Sequence, residues 1–504
     1  MGSCLKLIPR AYQLAIYNSI IENGSTLVVL PTGLGKTLIA LMLIREFSKK
    51  GRCLFLTPTK PLAKQHYESI LDVLSIPSDE ISLITGEIPP KKRKEMYARK
   101  VIVATPQTIR NDLEEGILSP DFSLCIFDEC HRAVGDYAYV PIADKLTNTL
   151  FVGLTASPGG KRERIEEVVN NLKIKNIEIR TSFDEDVAQY VQKSTTTWIP
   201  VELSPLLKKI KGNIDEMIAS HAKALAGMGF PPPLKHKGRF LDLRNKILSI
   251  DKGLKYHALV EYSILLNLLH MSELLETQGL YALKQYVKKV EEKQSKSAKR
   301  LLHEKKFAEL KRLILENDEE HPKLSRLLDL VRSLSGKKII IFAQYRDQIA
   351  KIENELTKIG IPAKQFVGKK GTFTRKMQEK TMEEFRSGLF DVLIASSIGE
   401  EGLDVPAVDA VIFYEPVPSE IRSIQRRGRA ARLKKGEVYI LMTKGTRDEY
   451  YYWSSFRKEK KMKEILTIMK RRMIGKPENK MQKLASNPEK KQSLVGQTKI
   501  LNFI

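Results

Sequence analysis

Residues 26–37 read Thr26-Leu27-Val28-Val29-Leu30-Pro31-Thr32-Gly33-Leu34-Gly35-Lys36-Thr37. The first five form a short apolar run suited to a buried parallel strand. Leu38 to Phe47 (LIALMLIREF) follows with the apolar density of a helix. Strand, glycine-bearing loop and helix in that order predict a phosphate cradle. Gly33 and Gly35 let the backbone around Thr32 and Leu34 curl and aim its N–H groups at phosphate oxygens. Lys36 reaches the β/γ-phosphates, the Thr37 hydroxyl can ligate Mg²⁺, and the helix N-terminus favours negative charge. Leu30 stands where the G-x-x-x-x-G-K-[ST] pattern opens with glycine, so the ending Thr32–Thr37 carries the match.

A second apolar run, Leu124-Cys125-Ile126-Phe127, delivers Asp128-Glu129 at its C-terminal end. That end is where open α/β sheets place their chemistry. Asp128 is expected to hold Mg²⁺, and Glu129 to orient and deprotonate an attacking water. Both halves of a nucleoside triphosphate hydrolase site are therefore present.

Composition sets the wider frame. The chain has 504 residues, 42% of them hydrophobic, enough for two to four domains. A net charge of +25 points to a polyanionic partner. Cys4, Cys53, Cys125 and Cys130 form no paired C-x-x-C pattern, which indicates neither a zinc site nor a disulfide framework and fits a reducing interior. No apolar run of transmembrane length and no signal-peptide core is expected, so a soluble, cytoplasmic, nucleoid-associated protein follows.

Strand-like and helix-like segments alternate from Leu27 to about Arg180 and again beyond His321-Pro322, including Lys338-Ile339-Ile340-Ile341-Phe342. This alternation predicts two doubly wound parallel-sheet α/β domains. Residues 183–320 between them carry almost no strand signal and read as an all-helical insert. Eleven Lys/Arg against four Glu between Tyr281 and Arg312 suit it to gripping a phosphodiester backbone. The expected partition is 1–182 for the first α/β domain, 183–320 for the insert and 321–455 for the second α/β domain. Residues 456–504 form a basic helix, to about Ile474, and a flexible tail.

Further motifs resemble superfamily 2 helicases. Asp128-Glu129-Cys130-His131 matches a D-E-x-H box, and Leu154-Thr155-Ala156-Ser157-Pro158 the segment coupling nucleotide state to strand movement. Ala395-Ser396 through Asp404-Val405-Pro406 resembles the second-domain loop, and Gln425 to Arg432 (QRRGRAAR) the arginine motif. The resemblance implies two RecA-like motor domains, with ATP and Mg²⁺ as cofactors. It makes Gln13, with Arg10 nearby, the adenine-reading glutamine and adds Asp404 to the nucleotide site. Thr155 and Ser157 become coupling residues. Arg429 and Arg432, three apart and on one face if helical, become arginine fingers reaching across an interdomain cleft. Thr59, Lys60, Thr105, Gln107, Gln344 and Ser396 fall in loops that resemble the family's strand contacts, which hold phosphates without reading bases.

His131-Arg132-Ala133-Val134-Gly135, Tyr414-Glu415-Pro416-Val417-Pro418-Ser419 and the helical insert are similar to the archaeal Hef helicases, relatives of the Fanconi anaemia M-type translocases. That resemblance implies 3′-to-5′ unwinding or remodelling of forked and branched DNA in replication-fork repair. No E-R-K-x-x-x-D nuclease signature is visible, so a nuclease-less form with a separate XPF-type nuclease is expected. Gln497, Ile500, Phe503 and Ile504 resemble a box that binds the sliding clamp (PCNA), with Ile504 replacing the usual second aromatic. Two alternatives stand beside this reading: an RNA-directed helicase, and a non-catalytic scaffold recruiting clamp or nuclease to branched DNA.

Overall fold

The computed structural model describes residues 7–181, 184–190, 195–234, 237–250, 252–368, 374–396, 408–416 and 436–473. The chain divides into two compact units, residues 1–189 with 458–504, and residues 190–457.

The first unit is built on seven strands: β1 (Thr26–Val29), β2 (Cys53–Leu56), β3 (Ile81–Ile84), β4 (Val101–Ala104), β5 (Leu124–Asp128), β6 (Leu150–Thr155) and β7 (Asn176–Ile179). They form one parallel sheet in the order β3-β4-β2-β5-β6-β1-β7. Strands such as Cys53-Leu54-Phe55-Leu56 and Val101-Ile102-Val103-Ala104 are buried along their whole length. Near-continuous apolar runs are what a parallel sheet needs when helices cover both faces. Register aligns the C-terminal strand ends: Val29 lies opposite Thr155, Leu154 opposite Asp128, and Leu56 and Ile84 both opposite Ala104. The strand-end loops therefore fall into two neighbouring groups along one edge. From Lys458 onward the helix Arg447–Met473 belongs to this unit, burying Met462, Ile465, Leu466 and Met469. Lys470 there pairs with Glu178 at 2.8 Å.

The second unit contains a parallel sheet of six strands: β8 (Thr195–Val201), β9 (Ile339–Phe342), β10 (Ala363–Phe366), β11 (Val392–Ala395), β12 (Ala410–Phe413) and β13 (Glu437–Thr443). Its order is β10-β11-β9-β12-β13-β8. Alternation along each strand feeds two cores. Ile339, Ile341, Ile394 and Ile412 pack on one face, and Ile340, Phe342, Leu393 and Val411 on the other.

Helices Pro205–Gly227, Lys237–Leu248, Lys252–Gln278, Leu280–Glu291, Lys296–His303 and Lys305–Leu315 form a bundle in the same unit. Ile210, Ile214, Leu265, Leu268, Leu283, Phe307 and Leu310 are among the residues of its core.

Two sequence expectations are corrected here. Residues 183–320 are not all helical, because β8 pairs with β13 from Thr195 opposite Glu437 to Val201 opposite Thr443. Pro200 removes a ladder donor and lowers the strand signal; at the sheet edge that loss is tolerated. Its partner lies far along the chain, so no local pattern announces the pairing. The second correction is that Gly253–Gln278 is long and apolar enough for a membrane span, with a mean hydropathy of 1.2. Since 61% of that apolar window is buried, its apolarity is accounted for by packing in the bundle.

Candidate active site

The phosphate loop leaves β1 and enters the helix Lys36–Phe47 through Gly33 (φ +85°) and Gly35 (φ +74°), both left-handed. The left-handed φ favours glycine here, and a Cβ on Gly35 would lie 2.4 Å from Gln13 Nε2 and displace that amide. Gly35 is the N-cap and provides no side-chain cap, leaving the first-turn N–H groups of the helix for an anion. Lys36 Nζ donates to the Leu30 carbonyl at 2.9 Å.

Gln13 folds onto the same loop. Its Oε1 accepts from Arg10 N at 2.8 Å, and its Nε2 donates to the carbonyls of Leu34 (3.2 Å) and Gly35 (3.4 Å). Tyr12 supports it, donating its hydroxyl to Leu34 O at 2.8 Å and accepting from Arg10 Nη1 at 3.2 Å. The side chain expected to read adenine is thus also a brace for the phosphate loop.

Asp128 ends β5 and Glu129 follows with φ +48°, a left-handed conformation that a non-glycine residue adopts at a cost. The turn swings the Glu129 carboxyl toward His131, whose Nδ1 is 3.3 Å from Oε2. Burial pushes this carboxyl up, but His131, Lys36 and Arg132 outweigh it and bring it down to about 2. Glu129 is therefore anionic at neutral pH, as a general base must be. Its Oε2 is buried and faces His131. His131 Nδ1 lies 3.2 Å from Thr155 Oγ1, which in turn donates to Ser157 O at 3.1 Å. Ser157 Oγ donates to Met462 Sδ at 3.0 Å. Thr155 and Ser157, the expected coupling residues, are thereby joined to Glu129 through His131 by a continuous polar chain.

Asp128 and Thr37 suit a hydrated Mg²⁺, and the two left-handed glycines with the uncapped helix suit a triphosphate. The donor set fits ATP·Mg²⁺.

The other loop group stands on β3, β4 and β2. Thr59 and Thr105 occupy the N-caps of the helices Lys60–Val73 and Pro106–Glu114, each a position where backbone N–H groups face outward. Thr105 Oγ1 is 3.0 Å from Thr108 Oγ1, and Gln107 is exposed on the first turn. Lys60 is paired with Glu87 at 2.6 Å, an exposed bridge that a phosphate would have to displace. Sequence alone did not foresee that partner. In the second unit, Gln344 and Ser396 follow the adjacent strand ends Phe342 and Ala395, the backbone N–H of Gln344 donating to Glu415. Asp404, Arg429, Arg432, Gln497, Ile500, Phe503 and Ile504 lie outside the described residues.

Two further residues escaped the sequence reading. Tyr139 donates its hydroxyl to Asp128 O at 2.6 Å, and His66 Nε2 lies 3.2 Å from Asp128 Oδ2. Each comes from a separate helix and has no fixed spacing to the Asp-Glu pair, so no local signal marks it.

Comparison with known proteins agrees with this arrangement. Residues 6–160 match the family described as "Type III restriction enzyme, res subunit", residues 206–321 "Putative ATP-dependent RNA helicase, helical bundle", and residues 322–434 "Helicase conserved C-terminal domain". The chain is 41% identical over 480 residues to "Putative ATP-dependent RNA helicase MJ1505" of Methanocaldococcus jannaschii, covering 92% of this chain and 62% of that protein. To the ATP-dependent DNA helicase fml1 of Schizosaccharomyces pombe it is 33% identical, covering 86% and 57%. It thus spans less than two thirds of the length of these curated relatives. The crystal structure of the Pyrococcus furiosus Hef helicase domain superposes with a TM-score of 0.70 at 44% identity, covering 89% of this chain and 98% of that one. Its two parallel-sheet α/β domains and helical bundle match the fold of that relative, and the chain belongs to the Hef family of superfamily 2 helicases.

Proposed function

We propose that this chain is an ATP-dependent DNA helicase or translocase that unwinds and remodels forked and branched DNA during replication-fork repair. One observation supports the reading: the strand ends that lead into the phosphate loop and Asp128 and those that lead into Thr59 and Thr105 lie side by side in one parallel sheet. Movement at one group is then mechanically available to the other.

Lys36 and the first-turn amides bind the β/γ-phosphates, Thr37 and Asp128 orient Mg²⁺, and Gln13 with Arg10 holds adenine. Mg²⁺, when bound, neutralises charge on the transferring phosphoryl group. Glu129 positions and deprotonates the water. His131 passes the state of that carboxylate through Thr155 to Ser157. Asp404, Arg429 and Arg432 are proposed to complete the nucleotide site, the arginines by stabilising γ-phosphate charge. Thr59, Lys60, Thr105, Gln107, Gln344 and Ser396 hold the phosphodiester backbone without base selectivity. The Hef resemblance favours 3′-to-5′ polarity. The same reading gives Gln497, Ile500, Phe503 and Ile504 to a sliding clamp, names an XPF-type nuclease as a partner, and places the protein on cytoplasmic nucleoid DNA.

The names of the M. jannaschii relative and of the matched bundle family favour an RNA-directed helicase as the second reading. ATPase assays with single-stranded, duplex, forked and four-way nucleic acids, DNA and RNA alike, separate the two. Forked or four-way DNA is expected to stimulate most. Strongest stimulation by duplex RNA overturns the DNA assignment. Lys36→Ala is expected to abolish ATP turnover while retaining most DNA binding, and turnover at the wild-type rate would refute the site.

A further inference from the structure

Behind the Asp128 carboxylate lies a buried histidine to which the reading above gives no role. His66 sits midway along the helix Lys60–Val73 and is 8% exposed. Its Nε2 is 3.2 Å from Asp128 Oδ2, and its ring lies against Phe55 with 4.5 Å between centroids. Nδ1 is buried without a hydrogen-bond partner.

A carboxylate oxygen accepts, so Nε2 donates this hydrogen bond, and Nδ1 is left inside the protein without a partner. Leaving that nitrogen buried and unsatisfied costs free energy that an apolar side chain on Phe55 would avoid. Packing therefore does not explain a histidine here. Its bond to the carboxylate does. A hydrogen bond from outside the metal shell fixes which way a ligating carboxylate faces, and losing such a partner weakens metal binding.

The helix also has a second end. It begins at Thr59 and Lys60, the loop that meets the phosphodiester backbone in the proposed function, about two turns or ~10 Å from His66. Over that length a packed helix moves as a rod. We propose that His66 is a positioning residue that holds Asp128 in its Mg²⁺-ligating orientation and links it to the strand-contact loop. Engagement of DNA at the helix N-terminus is then felt at the metal carboxylate. By reciprocity, Mg²⁺–nucleotide tightens DNA binding by the same factor. This inference rests on the helicase reading and gives it a specific path inside the first unit.

The test uses the full chain and two variants. His66→Phe keeps an aromatic ring on Phe55 and removes the donor. His66→Gln places an amide Nε2 at similar reach and restores it. Binding of a fluorescent ADP analogue is titrated with Mg²⁺, with and without a forked DNA oligonucleotide, and melting temperatures are recorded alongside. In the wild type, DNA lowers the Mg²⁺ concentration for half-saturation. In His66→Phe that concentration rises about tenfold and no longer responds to DNA, and His66→Gln recovers most of both effects. A His66→Phe protein with wild-type Mg²⁺ dependence and DNA response overturns the inference and leaves the helicase reading standing. So does a Gln variant as impaired as the Phe variant, since the donor would then be irrelevant. Should the Phe variant melt too low to assay, the Gln variant decides alone: a wild-type response upholds the donor role, and loss of the response refutes it. A wild type that binds no nucleotide overturns the helicase reading and this inference with it.

Discussion

At Gly35 conformation and space coincide: φ is +74°, and an added methyl would meet the Gln13 amide at 2.4 Å. Gly35→Ala must either push Gln13 off the loop or twist the loop away from the phosphates. Nucleotide affinity is expected to fall on the order of 10- to 100-fold with the fold retained. Equilibrium binding of a fluorescent nucleotide measures it, and wild-type affinity would show that the close approach is immaterial. The residues of the candidate ATP site could be proposed from the sequence because their chemistry is local. Thr32 to Thr37 is one contiguous turn, and Asp128-Glu129 are neighbours. His66, Tyr139 and the Lys60–Glu87 bridge were not legible. Each is a contact between residues from separate elements, fixed only when the sheet brings strand ends together.

Inside the second unit, the bundle and the sheet domain are joined by a buried polar seam. Glu276 accepts from the Arg447 N–H at 2.9 Å and pairs with Lys211 at 3.2 Å, and its carbonyl accepts from His321 Nε2 at 3.1 Å. Glu273 faces Arg447 at 3.6 Å and Tyr345 at 3.5 Å. Gly279 (φ +84°) lets the chain pass against His321, where a Cβ would come within 2.7 Å. Burial, then the Lys323 charge, hold His321 down at about 3 against its ordinary 6.5, despite the opposing bond to Glu276. The unfolded chain takes up this proton near pH 6.5 and the folded chain only near 3, so stability is full above 6.5 and falls as the pH drops through that window. At pH 5 the loss is about 2 kcal/mol. His321→Asn keeps an acceptor for the Lys323 N–H, now held by Nδ1 at 3.1 Å, but cannot titrate. Urea unfolding at pH 7.5 and pH 5 is expected to show the smaller acid loss in the variant, and equal losses would contradict the assignment. A second test concerns the ion pair of Lys323 and Asp448, both fully buried. Asp448→Ala strands the ammonium and is expected to destabilise the unit by ~3–5 kcal/mol, read from the same unfolding curves; less than about 1 kcal/mol would show that the pair is not held as described. None of this seam, nor the edge strand β8, could be read from the sequence. The contacts join residues far apart along the chain and carry no periodicity.

The whole molecule carries a net charge of +25, which favours any polyanion and chooses among none. Under the proposed function, binding to DNA weakens steeply with salt, and any preference for forks comes from geometry. Two α/β halves around a helical segment were legible because strand–loop–helix order repeats and the motifs keep their sequence. The grouping of the bundle with the second sheet, and of residues from Lys458 with the first unit, was not, since hydrophobic helices look alike whichever core receives them. The central claim is that ATP turnover at Lys36 and Glu129 drives movement along DNA. Strand displacement on a forked duplex with a fluorescent label tests it most directly, comparing wild type with Lys36→Ala, with and without ATP. ATP-dependent separation by the wild type alone is the predicted result. Separation that is equal without ATP, or equal in the variant, would contradict the account.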